Sequence, residues 1–227
     1  APSRGLGDVY KRQMCGRPVI FNEIREHADA VLCTWWLGSE AGNAICNVLW
    51  GEYNPSAKLP MTFPAHVGQI PIYYQNKSTG RPTALKQTYK ASYIDASTEP
   101  AYPFGYGLSY TDFGYSDLKL LPGKAAGVHT EVSVKVTNTG KCAGEEVVQL
   151  YVQDKVASVT RPIKELKGFR KIHLNAGESK TVVFQITDDA LGFYDNEMNY
   201  MVEPGDFVFM VGGSSDDVQQ ITYNLEE

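Results

Sequence analysis

Hydrophobic positions along the chain change period once, near residue 113. From there onward they recur at every second residue. Val132, Val134 and Val136 alternate with Ser133, Lys135 and Thr137, and Val148, Leu150 and Val152 alternate with Gln149, Tyr151 and Gln153. Val182, Phe184 and Ile186 form a third set, and Phe207, Phe209 and Val211 a fourth. Alternation bounded by turn residues predicts strands with one face buried. The turns are Asn138-Thr139-Gly140, Asn175-Ala176-Gly177 and Glu203-Pro204-Gly205-Asp206, each rich in residues that accept tight backbone geometry. Residues 114–227 therefore predict an all-β sandwich.

Before residue 113 the pattern is helical or irregular. Residues 22–27 suit a short helix with Asn22 as its cap. Ala30-Val31-Leu32-Cys33-Thr34-Trp35-Trp36 is a continuous apolar run, the pattern of a strand buried on both faces of a parallel sheet. Ala41, Ala44, Ile45, Val48 and Leu49 then fall on one helical stripe. Ser39 can cap that helix, Glu40 suits the positive end of its dipole, and Gly51 can end it. Strand then helix belongs to an α/β layer. One such unit cannot close a core, so the remainder of the layer is expected upstream. Residues 52–101 are broken by Pro55, Pro60, Pro64, Pro71, Pro82 and Pro100, and a loop of this length is usually functional or packed on a partner surface. The run Tyr102-Pro103-Phe104-Gly105-Tyr106-Gly107-Leu108-Ser109-Tyr110-Thr111-Asp112-Phe113 follows. Its glycines permit irregular backbone and its rings offer apolar anchors, so it reads as a structured hinge.

Composition changes this picture little. The 227 residues carry 43% hydrophobic and 21% charged side chains and a net charge of −5, which gives no electrostatic case for nucleic acid. No apolar stretch reaches the roughly 20 residues of a membrane span, and no export signal is visible. Cys15, Cys33, Cys46 and Cys142 follow no metal spacing, and His27, His66, His129 and His173 are dispersed and expected to be solvated. The sandwich is near immunoglobulin size but lacks a Cys…Trp…Cys core, which favours a fibronectin type III-like variant. Asn76-Lys77-Ser78 matches a glycosylation acceptor, a pattern that applies only on a eukaryotic secretory route.

Four ordered motifs carry a resemblance to a known family. Gly51-Glu52-Tyr53-Asn54-Pro55-Ser56-Ala57-Lys58-Leu59-Pro60-Met61-Thr62-Phe63-Pro64 resembles a segment of glycoside hydrolase family 3, the β-glucosidase and β-xylosidase family, where it follows a helix in the α/β-sandwich domain. Val67-Gly68-Gln69-Ile70-Pro71-Ile72-Tyr73-Tyr74 with Thr79-Gly80-Arg81-Pro82 looks like the bacterial periplasmic branch. Residues 102–113 resemble the family signature after that domain, and Arg161-Pro162-Ile163-Lys164-Glu165-Leu166-Lys167-Gly168-Phe169 is similar to its fibronectin-like domain. The resemblance covers the chain from residue 14. It implies an α/β fragment, the end of an α/β-sandwich domain, at 14–113, followed by a fibronectin type III-like sandwich at 114–227. It also implies a retaining mechanism with two carboxyl groups about 5–5.5 Å apart. In the family the nucleophile sits in an N-terminal barrel and the acid/base upstream of the segment matching Met14, so neither catalytic carboxylate is expected here. No cofactor or metal is implied. The implied partners are an oligosaccharide or β-glucoside substrate and the N-terminal barrel domain, with no nucleic acid and no membrane. The implied location is periplasmic or secreted.

Residues 1–13 stand apart. Ser3–Gln13 is similar to an in-frame translation of a transposase-based sequencing adapter, which would place the first native residue near Met14; the other reading is a basic tail. The candidate substrate-binding residues are Glu40, Tyr73, Tyr74 and Arg81. Glu40 follows a buried strand's C-terminal end, where α/β sheets place ligand crevices, or is a first-turn acid serving the dipole. Tyr73, Tyr74 and Arg81 lie on the long loop, where binding groups concentrate, or pack there as surface. Trp35 and Trp36 read as core rather than sugar platforms. Ser39 lacks the G-x-S-x-G elbow of a nucleophile. Two functional readings follow: part of an exo-acting β-glycosidase, or a carbohydrate-binding or structural β-sandwich module without catalysis.

Overall fold

A computed structural model describes residues 15–80 and 92–226. The chain divides into two compact units, Ala1–Tyr53 and Asn54–Glu227.

The first unit holds helix α1 (Asn22–His27) and helix α2 (Ala41–Leu49), the latter entered through a 3-10 turn at Gly38–Glu40. The helical stripe gives α2 as expected, and Gly51 follows its end with its N–H on the Val48 carbonyl at 3.1 Å. Its start differs from expectation. Ser39 lies inside the 3-10 turn and Glu40 occupies the cap position without a side-chain cap, because the turn runs straight into the helix. Asn22 likewise is the first helical residue of α1, with Phe21 before it.

The apolar run at 30–36 forms no strand. A buried parallel strand needs neighbours on both edges for its ladder, and this unit supplies none among the described residues. Val31, Leu32 and Trp36 are exposed, Trp36 to 86%, and Trp35 takes a positive φ of 51°, outside strand geometry. Both tryptophans thus depart from the expected core packing. Ala41, Ile45 and Val48 of α2 are half-buried and none of the helix is fully buried.

The second unit is a seven-stranded sandwich with a long N-terminal strap. One sheet has the order β1-β2-β5, formed by β1 (Phe113–Pro122), β2 (Val128–Asn138) and β5 (Ser179–Thr187). The other has the order β4-β3-β8-β9, formed by β3 (Gly144–Asp154), β4 (Glu165–Leu174), β8 (Gly205–Gly212) and β9 (Val218–Leu225). Every pairing is antiparallel. Between β5 and β8 lie a helical turn, α3 (Asp188–Leu191), and a hairpin of β6 (Phe193–Tyr194) and β7 (Tyr200–Met201). All four sequence-predicted apolar sets meet in one core, with Val132, Val134, Val136, Val148, Ile186, Phe209 and Val211 fully buried.

The central strands of the second sheet, β3 and β8, are buried on both faces. Residues alternating with the core positions in β3 and β8 point away from the sandwich interior, and alternation predicts them solvated. Instead Gln149, Tyr151, Val208 and Met210 are buried. Tyr74 and Phe104 pack over Tyr151, Val208 and Met210, and the Gly105 carbonyl meets Gln149.

Candidate functional site

The covering layer is built from two sequence-distant segments that pair with each other. Leu59 N–H donates to the Tyr106 carbonyl at 2.8 Å and Gly105 N–H to the Leu59 carbonyl at 2.8 Å. Phe63 bridges Tyr102, with Phe63 N–H on the Tyr102 carbonyl at 2.9 Å. Asn54 ties the far end: its Oδ1 accepts from Ser109 Oγ and Tyr110 N–H, both at 2.8 Å, and its Nδ2 donates to the Ala143 carbonyl at 2.9 Å. Backbone lacking a regular ladder must satisfy its polar groups this way.

Phe104 anchors the strap. Its ring stacks on Tyr74 at 4.3 Å and meets Tyr151 edge-on at 6.5 Å, and Tyr74 meets Tyr151 edge-on at 5.8 Å. Such pairs contribute about 0.5–1.5 kcal/mol beyond area burial. The Phe104 carbonyl accepts from Ser215 N–H at 2.9 Å. Gln149 braces the next residue, its Nε2 donating to the carbonyls of Gly105 at 3.2 Å and Gly213 at 2.6 Å while its Oε1 accepts from the Tyr151 hydroxyl. Gly105 sits at φ +78°, and a Cβ there would fall 2.1 Å from Gln149 Oε1. Position 105 therefore needs glycine for both conformation and space.

A buried ion pair locks the strap's other edge. Lys58 Nζ lies 3.1 Å from Glu146 Oε2 and donates to the Gly107 carbonyl at 3.1 Å. Glu146 Oε1 accepts from the Tyr115 hydroxyl at 2.9 Å, so both carboxylate oxygens are partnered, as a buried charge requires. Burial, reinforced by the Glu146 charge, holds the Tyr115 phenol far above its ordinary range. Burial raises Tyr151 too, with the neighbouring Tyr74 adding to it.

The loop after the first strap segment rests on the β4 entry. Asn76 carbonyl accepts from Ile163 N–H at 2.9 Å, and Tyr74 Oη accepts from Leu166 N–H at 3.3 Å. Lys164 Nζ donates to the Ser215 carbonyl, and burial lowers its pKa against the opposing pull of Asp216. Gln69 clamps the loop's return. Its Oε1 accepts from Ala65 N–H at 2.6 Å, and its Nε2 donates to the carbonyls of Ser97 at 3.1 Å and Glu99 at 2.9 Å. At the β4 entry Arg161 holds Glu165 at 2.7 Å and lies 4.7 Å over the Phe193 ring. Asp154 is 3.8 Å from the same guanidinium, and burial raises its carboxyl despite that charge.

The sequence candidates are distributed as follows. Glu40 is exposed in the first unit and accepts from Asn43 Nδ2 at 2.6 Å. Tyr73 and Tyr74 are adjacent in the second unit but face opposite ways: Tyr73 is 65% exposed, while Tyr74 is turned onto Phe104. Arg81 lies outside the described residues. Three of the histidines are not simply solvated: His27 Nδ1 lies 2.7 Å from the Glu23 carbonyl. His129 Nε2 lies 2.6 Å from Asp188 Oδ1, and His66 Nε2 lies 3.2 Å from the Ser97 carbonyl. Among the described residues no group of His, Cys, Asp and Glu could hold a metal ion. Lys58, Tyr115, Glu146 and Gln149 were not singled out from sequence. Lys58 had one signal, a cation inside an otherwise apolar and small-residue motif.

Comparison with known proteins agrees with this architecture. Residues 13–110 match the profile described as the glycosyl hydrolase family 3 C-terminal domain, and residues 146–215 match the fibronectin type III-like domain. The chain is 49% identical over 215 residues to a periplasmic β-glucosidase of Salmonella typhimurium, covering 93% of this chain and 28% of that protein. It is 44% identical over 214 residues to a β-xylosidase of Formosa agariphila, covering 93% and 29%. Its fold superposes on a β-glucosidase of Listeria innocua crystallised with glucose at a TM-score of 0.87 and 42% identity, over 93% of this chain and 30% of that one. The chain thus spans less than a third of the length of these relatives. It belongs to glycoside hydrolase family 3, in which it carries the C-terminal domain's closing segment and the fibronectin type III-like sandwich.

Proposed function

We propose that this chain works as part of a retaining, exo-acting β-glycosidase that hydrolyses terminal β-linked glucose or xylose units. The observation that carries the reading is the coincidence of the family match with the interlocked strap, since two family motifs prove to be the two halves of one structural device. In this reading the sandwich is a brace that holds the loop at 65–80 in place. Tyr73, Tyr74 and Arg81 line a sugar subsite, with Tyr74 anchored on Phe104, and Glu40 contacts substrate or a neighbouring loop. The nucleophile comes from a barrel domain that this chain meets in the whole enzyme, and the acid/base from sequence upstream of the segment matching Met14. In this reading the α/β domain runs to residue 113, its portion from Asn54 packing with the sandwich as one compact unit. The Salmonella relative's name supports a periplasmic or secreted location, and no helix among the described residues is long and apolar enough to cross a membrane.

The test is complementation. Residues 14–227 alone are expected to leave an aryl β-glucoside and an aryl β-xyloside intact. The same residues fused behind the unmatched portion of the Listeria β-glucosidase are expected to restore hydrolysis with retention of anomeric configuration. Turnover by residues 14–227 alone, or a folded fusion without activity, overturns the proposal.

A further inference from the structure

The hairpin between β5 and β8 presents two tyrosines for which the brace role has no use. Tyr194 and Tyr200 pair across it, with ring centroids 5.2 Å apart and planes at 64°, yet they remain 59% and 46% exposed. The hairpin is rigidly built. Asp195 Oδ1 accepts from Glu197 N–H at 2.8 Å and Asn199 N–H at 2.9 Å, and the Asp195 and Asn199 backbones bond at 3.0 Å. Met198 is held at the tip with φ +67°, a left-handed conformation uncommon for a residue with a Cβ and one that the surrounding bonds impose.

Tyr200 is fixed from below as well. Its hydroxyl donates to the Asp188 carbonyl at 3.1 Å. Its ring lies so close over Gly192 that a Cβ there would fall 2.4 Å from the ring. Two partly exposed rings are therefore held in fixed positions by the hairpin. Exposed aromatics locked in place give contact area at little entropic cost on binding. A pyranose with equatorial hydroxyls offers the complement, a flat face of axial C–H groups that stacks on a ring. The exposed acids Asp188, Asp189 and Glu197 nearby can accept hydrogen bonds from sugar hydroxyls and repel acidic ligands.

We propose that the Tyr194–Tyr200 hairpin is an accessory binding platform for neutral β-linked oligosaccharides of glucose or xylose. The choice of sugar rests on the glycosidase reading, while the platform itself rests on the hairpin. It binds without cleaving and raises the local concentration of glycan around the sandwich.

The experiment titrates the whole chain with cellohexaose and xylohexaose by isothermal calorimetry and saturation-transfer NMR, with a polygalacturonate oligomer as the acidic control. Binding to at least one neutral hexaose is expected, and none to the acidic control. Tyr194→Ala should weaken it at least tenfold, and Tyr194→Phe should leave it within twofold. Gly192→Ala, whose φ of −69° suits alanine, should weaken binding by displacing the Tyr200 ring. Far-ultraviolet dichroism and melting confirm that each variant is folded. No binding by the parent chain, equal binding by Tyr194→Ala, or preferential binding of the acidic oligomer overturns the platform. Because no hydrolysis is read, such a failure leaves the complementation result standing by itself.

Discussion

At the residue scale the strap depends on a few polar side chains that have no freedom to change. Glu146 is 3% exposed and shared by Lys58 and Tyr115. Lys58→Ala leaves that carboxylate half-partnered, and we expect a loss of about 2–4 kcal/mol in urea unfolding, the lower end reflecting Lys58's partial exposure. Tyr115→Phe removes one hydrogen bond to the carboxylate and should cost about 1–2 kcal/mol. The same phenol sets an alkaline limit. Its folded pKa lies above the unfolded value of 10.0, as does that of Tyr151. Above pH 10 the unfolded chain loses both protons while the folded one keeps them, so stability that is complete below that pH falls as pH rises. The slope should approach about 1.4 kcal/mol per pH unit for each phenol well above pH 10, and Tyr115→Phe should make it shallower in melts between pH 9.5 and 11. None of these pairings was readable from sequence. A lysine at 58 and a glutamate at 146 show no periodicity linking them, and only the folded strap brings their charges together.

At the element scale the sequence was most legible where one face alone decides the pattern. The four alternating sets became β2, β3, β5 and β8 because a half-buried strand writes its burial with period two. Helix α2 was legible from its stripe for the same reason. The run at 30–36 misled because apolar content without partners is only the potential for a strand. The outer face of β3 misled in the opposite sense: Gln149 and Tyr151 look solvated, but their polar atoms are satisfied by the strap and by each other. Gly105 is one of the positions where strap and sheet meet tightly. Gly105→Ala combines a positive φ with a clash against Gln149, and we expect it to destabilise by about 2–4 kcal/mol. Pairing it with Gln149→Ala should recover part of that loss, because the clash but not the backbone cost is removed. A double-mutant cycle on melting midpoints reads the difference.

At the scale of the whole molecule, the strap belongs physically to the sandwich. The compact unit begins at Asn54, well before the change in hydrophobic period that marks the sandwich in sequence. A chain of residues 54–227 should melt cooperatively. A chain of residues 114–227 should melt lower and bind the dye ANS, because Tyr151, Val208 and Met210 lose their cover; equal melting of the two would contradict that expectation. The double burial of β3 and β8 also constrains how such enzymes can be recombined. Asn54 and Lys58, residues 102–110, and Gln149 with Tyr151 lie far apart in the gene yet form one surface, so they can be inherited or exchanged only as a set. A chimera joined at the visible change of period would mix one parent's strap with another's sheet, whereas a junction just ahead of Asn54 would carry lock and key together.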